Sequence, residues 1–208
     1  MKNVVAGAFF AICAAITPAG NTQAQVHQAA LPTVHRPAAV VGQARPVAAW
    51  VRFCQNHPLE CLVRPSEPAF ITLDAQQWRT ITAVNRRVNE MIKPLTDQEQ
   101  WGIIDSWNFP TTGYGDCEDY QLLKRKLLSE AGIPRRAMRM TVVIDEKGEG
   151  HAVLSIITDR GDFVLDNKID AVLPWHRTGY IYVKREGSDG LDWVSLGGAT
   201  SPTVTANR

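Results

Sequence analysis

The chain of 208 residues carries little excess charge, few cysteines and, after its first two dozen residues, no long apolar run. A net charge of +1 gives no electrostatic reason to expect nucleic acid or an anionic membrane as partner. No later apolar stretch is long enough to span a bilayer. There is no internal repeat, which excludes a repeat architecture. What remains has the length and composition of one domain with a real core.

The start of the chain reads as an export signal. Lys2 supplies a basic beginning, residues 4–16 an apolar stretch, and Thr22-Gln23-Ala24 a small-residue exit. A signal peptide over 1–24 is therefore expected, the rival being a retained anchor. Ile12 stands where a lipid-attachment site wants a small residue, so Cys13 leaves with the signal. The product is expected to be periplasmic or secreted. Residues 25–47, rich in Ala, Val, Pro and Gln without periodicity, read as a flexible leader. The domain is expected over 48–200, with a tail at 201–208.

Three cysteines stay with the mature chain. Cys54 and Cys61 are close together, and Pro58 between them helps bend the chain back, so an oxidising compartment makes them a disulfide pair. A metal site using His57 is the rival, but one short segment offers too few ligands for a closed zinc shell. Cys117 is then the odd cysteine, which calls for a reason. Burial as a small apolar side chain is one; its place between Asp116 and Glu118 argues for another.

The periodicity changes along the chain. Residues 73–92 have helical spacing, with Asp74 as cap and Trp78, Ile81, Val84, Val88, Met91 and Ile92 on the stripe. Thr96-Asp97-Gln98-Glu99 forms a capping box for a short helix leading to Trp101, Ile104 and Trp107. A helix from Cys117 carries Tyr120, Leu123, Leu127 and Ala131, with Lys124, Arg125 and Lys126 turned outward, and stops at Gly132 and Pro134. Strands are expected at 138–145, 151–158, 163–166, 180–184 and 193–196. Helices followed by an antiparallel sheet make an α+β fold.

The chemistry concentrates in three places. Gly113-Tyr114-Gly115-Asp116-Cys117-Glu118-Asp119-Tyr120 puts a cysteine on the first turn of a helix, where unpaired N–H groups and the dipole favour a thiolate. His151 opens one strand and Asp166 closes the next. Nucleophile, base and orienting acid are the three roles of thiol-acyl chemistry. The separation of His151 and Asp166 is 166 − 151 = 15, which is odd. A hairpin with an even-numbered loop then puts both side chains on one face. Each residue also has an ordinary reading: a structural histidine, a strand-ending aspartate, acids that suit a helix start.

Asp116, Glu118 and Asp119 oppose formation of a thiolate beside them. Either a protonated His151 or a bound cation would relieve this, and clustered hard oxygens suit Ca²⁺, though not with EF-hand spacing.

Together, Gly115-Asp116-Cys117-Glu118-Asp119-Tyr120, Gly150-His151-Ala152-Val153-Leu154 and Val164-Leu165-Asp166-Asn167 resemble the bacterial transglutaminase-like cysteine proteinases. The resemblance runs from about Trp50 to Leu196 and includes Phe53-Cys54…Cys61 and Asp105-Ser106-Trp107. It implies a papain-like/transglutaminase-like core in which Cys117 is nucleophile, His151 base and later acid, and Asp166 the orienting group. LapG-type periplasmic members imply more: calcium held by Asp116, Glu118 and, more weakly, Asp119; a surface adhesin as substrate; control of attachment and biofilm; and an inner-membrane receptor responding to cyclic-di-GMP. Trp107 is a candidate for walling the site or positioning oxyanion donors, the other reading being a core aromatic. Two further functions stay open: amide transfer or deamidation on the same triad, and a calcium-responsive binding module with a silent cysteine.

Overall fold

The computed structural model describes residues 30–189 and 192–198. The expected signal peptide and the 201–208 tail lie outside them. In chain order the elements are β1 (Gly42–Ala44), α1 (Ala48–Asn56), α2 (Pro58–Cys61), α3 (Ala75–Met91), β2 (Lys93–Pro94), α4 (Asp97–Trp101), β3 (Tyr114–Gly115) and α5 (Cys117–Glu130). They continue with β4 (Met138–Ile144), β5 (Gly150–Thr158), β6 (Gly161–Leu165), β7 (Leu173–Pro174), β8 (Ile181–Glu186) and β9 (Trp193–Ser195). The α+β expectation holds: helices pack on a seven-stranded sheet ordered β1-β9-β8-β4-β5-β6-β7, with every neighbouring pair antiparallel.

Local chemistry explains the helices. Asp74 accepts from the Gln77 amide while the Gln77 side chain accepts from the Asp74 amide, closing a capping box at the start of α3. Thr96 and Glu99 do the same for α4. That helix is shorter than its apolar spacing suggests. Gly102 takes a left-handed φ of 70° and ends it after Trp101, so Ile104 and Trp107 lie in the loop beyond. The helix α5 begins at Cys117, as expected.

The outer face assigned to α5 needs correction. Lys126 is half-exposed, but Lys124 and Arg125 are fully buried. The Arg125 guanidinium donates to both oxygens of Glu186 at 3.2 and 3.1 Å. Arg135 donates to the same carboxylate at 2.9 Å, as do the Trp50 indole at 2.9 Å and the Met140 amide at 2.8 Å. A buried charge satisfied by five donated bonds needs no water.

The leader is also corrected, for residues 30–47. The Arg160 guanidinium donates to the Pro32 carbonyl, and His35 and Ala38 bond to β6 through the Asp162 carbonyl and carboxylate. Residues 42–44 then pair with β9 at the other end of the sheet. This stretch is a strap across the sheet. Its partners lie far away in sequence, which is why composition alone reads it as loose.

The core has two faces. Leu154, Ile156, Met138, Met140, Phe163 and Leu165 pack under the helices with Trp50, Phe53 and Trp107. Val143, Val153, Val164 and Tyr182 form a smaller cluster, with Trp175 and Tyr180 against it. Cys54 and Cys61 are disulfide-bonded, joining α1 to α2. Among the described residues, no helix is long and apolar enough to cross a membrane.

Candidate active site

Two backbone devices set Cys117 in place. The short parallel pair β2–β3 aligns Lys93 with Tyr114 and Pro94 with Gly115, fixing the chain immediately before α5. Gly115 is required by space, since a Cβ there would sit 2.8 Å from the Asp119 side chain. Cys117 follows on the first turn, fully buried.

The parity argument for His151 and Asp166 holds. Strands β5 and β6 are joined by Asp159 and Arg160, an even loop, and Leu154 pairs with Leu165. That register makes His151 and Asp166 diagonal neighbours on one face. His151 Nε2 lies 2.9 Å from Asp166 Oδ1. The same oxygen accepts from the Lys168 amide at 3.0 Å, and Oδ2 accepts from the Tyr180 hydroxyl at 2.7 Å. The Tyr180 ring meets the His151 ring edge-on at 5.7 Å.

The sulfur of Cys117 completes this group. The Ala152 amide donates to it at 3.3 Å, and the sulfur lies 3.1 Å from Glu118 Oε2. Burial alone would depress the basicity of His151. Its hydrogen bonds to Asp166 and Cys117 more than offset that and raise its pKa to about 9. Burial pushes Asp166 up, but the bond to His151 and that ring's charge hold it down at about 2. The pair therefore stands as imidazolium and carboxylate at neutral pH.

Beside the sulfur lies a dense group of acids. Asp97, Asp105, Asp116, Glu118 and Asp119 are all buried. One oxygen each from Asp97, Asp105 and Glu118 lies within 4.8 Å of the others, and the same holds for Asp97, Asp116 and Asp119. Burial, then the charge of Asp97, lifts Asp116 to about 7. Burial, then the charge of Asp116, lifts Asp119 to about 9. Burial and the neighbouring Cys117 push Glu118 well above the carboxylate range. No salt bridge among the described residues involves Asp97, Asp116, Glu118 or Asp119. Asp116 Oδ1 and Glu118 Oε1 are buried without a hydrogen-bond donor. An all-oxygen donor set with such orphaned atoms fits a hard divalent cation.

Asp97 and Asp105 were not singled out by the sequence as members of this group. Asp97 opens α4 as a capping-box residue and Asp105 sits in a loop, ordinary positions for an acid. Backbone donors tie the group together: the Asp97 amide to Asp116 Oδ2 at 3.2 Å, the Asn108 amide to Asp119 Oδ1 at 2.8 Å, and the Ser106 amide to Asp97. Trp107 lies between those last two anchors, buried in the main apolar cluster. Its indole N–H meets no acceptor among the described residues.

The sequence profile of the bacterial transglutaminase-like cysteine proteinases (BTLCP) matches residues 40–201. The chain belongs to that family. The proteinase is similar in fold to LapG of Legionella pneumophila. The calcium-bound form superposes with a TM-score of 0.50 at 24% identity, over 61% of this chain and 74% of that one. A second LapG structure gives 0.50 at 23% identity, over 59% and 71%. No match is found among curated proteins. The family makes this proteinase a cysteine peptidase, which sets aside the reading of a silent binding module.

Proposed function

We propose that the proteinase is an exported endopeptidase in which Cys117 is the nucleophile, His151 the base and acid, and Asp166 the group that orients the base. The observation that carries this is the 2.9 Å bond between His151 and Asp166 beside the buried sulfur at the start of α5. The Cys117 thiolate attacks a peptide carbonyl, forming a C–S bond and an oxyanion. The Cys117 amide at the helix start and the Trp107 indole N–H are the proposed donors to that oxyanion. His151 then gives its proton to the leaving amine as the C–N bond breaks. Water, deprotonated by the neutral imidazole, attacks the thioester, and the carboxylate product leaves with the thiolate restored. An amine in place of that water would give amide transfer instead, and product masses with and without added amine separate the two.

The five acids are proposed as a calcium site, with Asp116, Glu118 and Asp119 joined by Asp97 and Asp105. Bound calcium would supply the positive charge that these buried carboxylates lack beside a thiolate. A solved LapG is described as calcium-bound, which supports the reading. The substrate is proposed to be a surface protein such as a large adhesin, the site of action the periplasm, and the regulator an inner-membrane receptor.

The test is incubation of the purified mature protein, with calcium or EGTA, with surface proteins of its own host. New termini that appear only with calcium and vanish in Cys117→Ala support the reading. Cleavage that persists in Cys117→Ala overturns it.

A further inference from the structure

Two turns along α5 from Cys117, the stripe of the nucleophile continues through Gln121, Lys124 and Leu128, at spacings of four, three and four. All three are fully buried. A lysine there is unexpected, since an ammonium removed from water is costly unless something compensates it. The Lys124 Nζ has no hydrogen-bond acceptor among the described residues, and it lies 5.8 Å from the centre of the Tyr120 ring. The acids whose charge reaches it are Asp166 and Asp170, at the two ends of the turn that follows β6.

That turn is also gripped from α3. Asn89 donates to the Asp166 carbonyl at 2.9 Å and to Asp170 Oδ1 at 2.9 Å, and Asn85 donates to the Asp170 carbonyl at 3.0 Å. The two helices pack against each other. Neutral amides thus hold the turn from α3, while the nucleophile's own helix supplies the cation.

We infer that Lys124 is a positioning residue, whose buried ammonium draws the 166–170 turn, and with it the Asp166 carboxylate, toward the helix that carries Cys117. The inference rests on the proposed roles of Cys117, His151 and Asp166. Lys124 acts through Asp166 and touches no reacting atom. Burial lowers its pKa to about 7 against the pull of Asp166 and Asp170, so the ammonium is lost as pH rises through neutrality. Besides those two acids, the titratable group against it is Tyr120 on its own helix; from α3 the turn is met by the uncharged Asn85 and Asn89, and His151, on β5, lies at the Cys117 end of the helix.

The test is the rate of Cys117 alkylation by iodoacetamide between pH 5 and pH 9, on the full mature chain with calcium present, for wild type, Lys124→Met and His151→Ala. Met keeps the length and removes the charge. The expected result is a wild-type profile with a step near pH 7, and a Lys124→Met profile that lacks the step and runs about tenfold slower below it. Thermal stability of this variant should be equal or higher, because an apolar side chain replaces a buried charge. Lys124→Gln gives the same reading if the Met variant does not fold. A Lys124→Met profile matching wild type, with His151→Ala slow, overturns the role of Lys124 alone. Equal rates for wild type and His151→Ala overturn the proposed roles of the three residues and this inference together.

Discussion

The amide of Ala152 donates to the sulfur of Cys117 at 3.3 Å, so β5 meets the nucleophile with its backbone as well as with the side chain of His151. The two contributions are separable. In His151→Ala the backbone donor stays and the imidazole goes. Alkylation of Cys117 by iodoacetamide at neutral pH is expected to be faster than that of a simple thiol, and His151→Ala to slow it by about a hundredfold. Measured second-order rate constants decide it.

The His151–Asp166 pair sets a pH window. With its pKa raised from 6.5 to about 9, His151 contributes stability that is fully present below pH 6.5 and lost as pH rises through 9. With its pKa lowered from 3.8 to about 2, Asp166 contributes stability present above pH 3.8 and lost as pH falls through 2. Beyond the step that Lys124 sets near pH 7, peptidase activity is expected to fall again near pH 9, as the imidazolium loses its proton. A pH profile of kcat/KM at saturating calcium tests this.

Tyr180 holds the second oxygen of Asp166 and shields the ring of His151. Tyr180→Phe keeps the ring and deletes the donor. A lost hydrogen bond to a charged group predicts a fall in kcat of about tenfold. KM should be unchanged, and the melting temperature should move by no more than a few degrees. Steady-state kinetics with a cleaved peptide separate kcat from KM.

Chelation should act most strongly at alkaline pH. Buried acids with raised pKa values hold protons in the folded protein that the unfolded chain releases, so the metal-free fold loses stability as pH climbs from about 4 toward 9. Calcium at a hundred times its Kd at pH 8 should raise stability there by about 2.7 kcal/mol, or several degrees, and the same concentration should raise it by less at pH 5. Asp97→Asn and Asp105→Asn should each shrink that shift. Thermal melts with calcium or EGTA at both pH values measure it.

The Cys54–Cys61 bond closes a short loop, with a sequence separation of 7. Loop-closure entropy for so few residues predicts a loss of about 2 kcal/mol on reduction or in Cys54→Ser/Cys61→Ser, a fall of about 5 °C. Differential scanning calorimetry checks it.

Residues whose role follows from near neighbours were legible in the sequence. The cap at Asp74, the start of α5 at Cys117 and the shared face of His151 and Asp166 all follow from local spacing or strand parity. Lys124 and Arg125 were misread because helical periodicity assigns charges to water by default. Only the distant Glu186, and the turn bearing Asp166 and Asp170, give these cations a reason to be inside. Asp97 and Asp105 have unremarkable local settings, and only the fold brings them to Asp116, Glu118 and Asp119. Tyr180 was visible as a strand residue, but its hydroxyl acquires a role only through the end of β6.

The strap of residues 30–44 has a practical consequence for anyone shortening this protein. Cutting at Ala48, where the helices begin, would remove β1, leave β9 paired on its β8 side alone and bare its other edge to other molecules. It would also take the Ala38 amide from the Asp162 carboxylate, leaving that group to Arg185. Such a fragment would be prone to clump through its naked edge, whereas a version beginning before Ala30 retains its own cover.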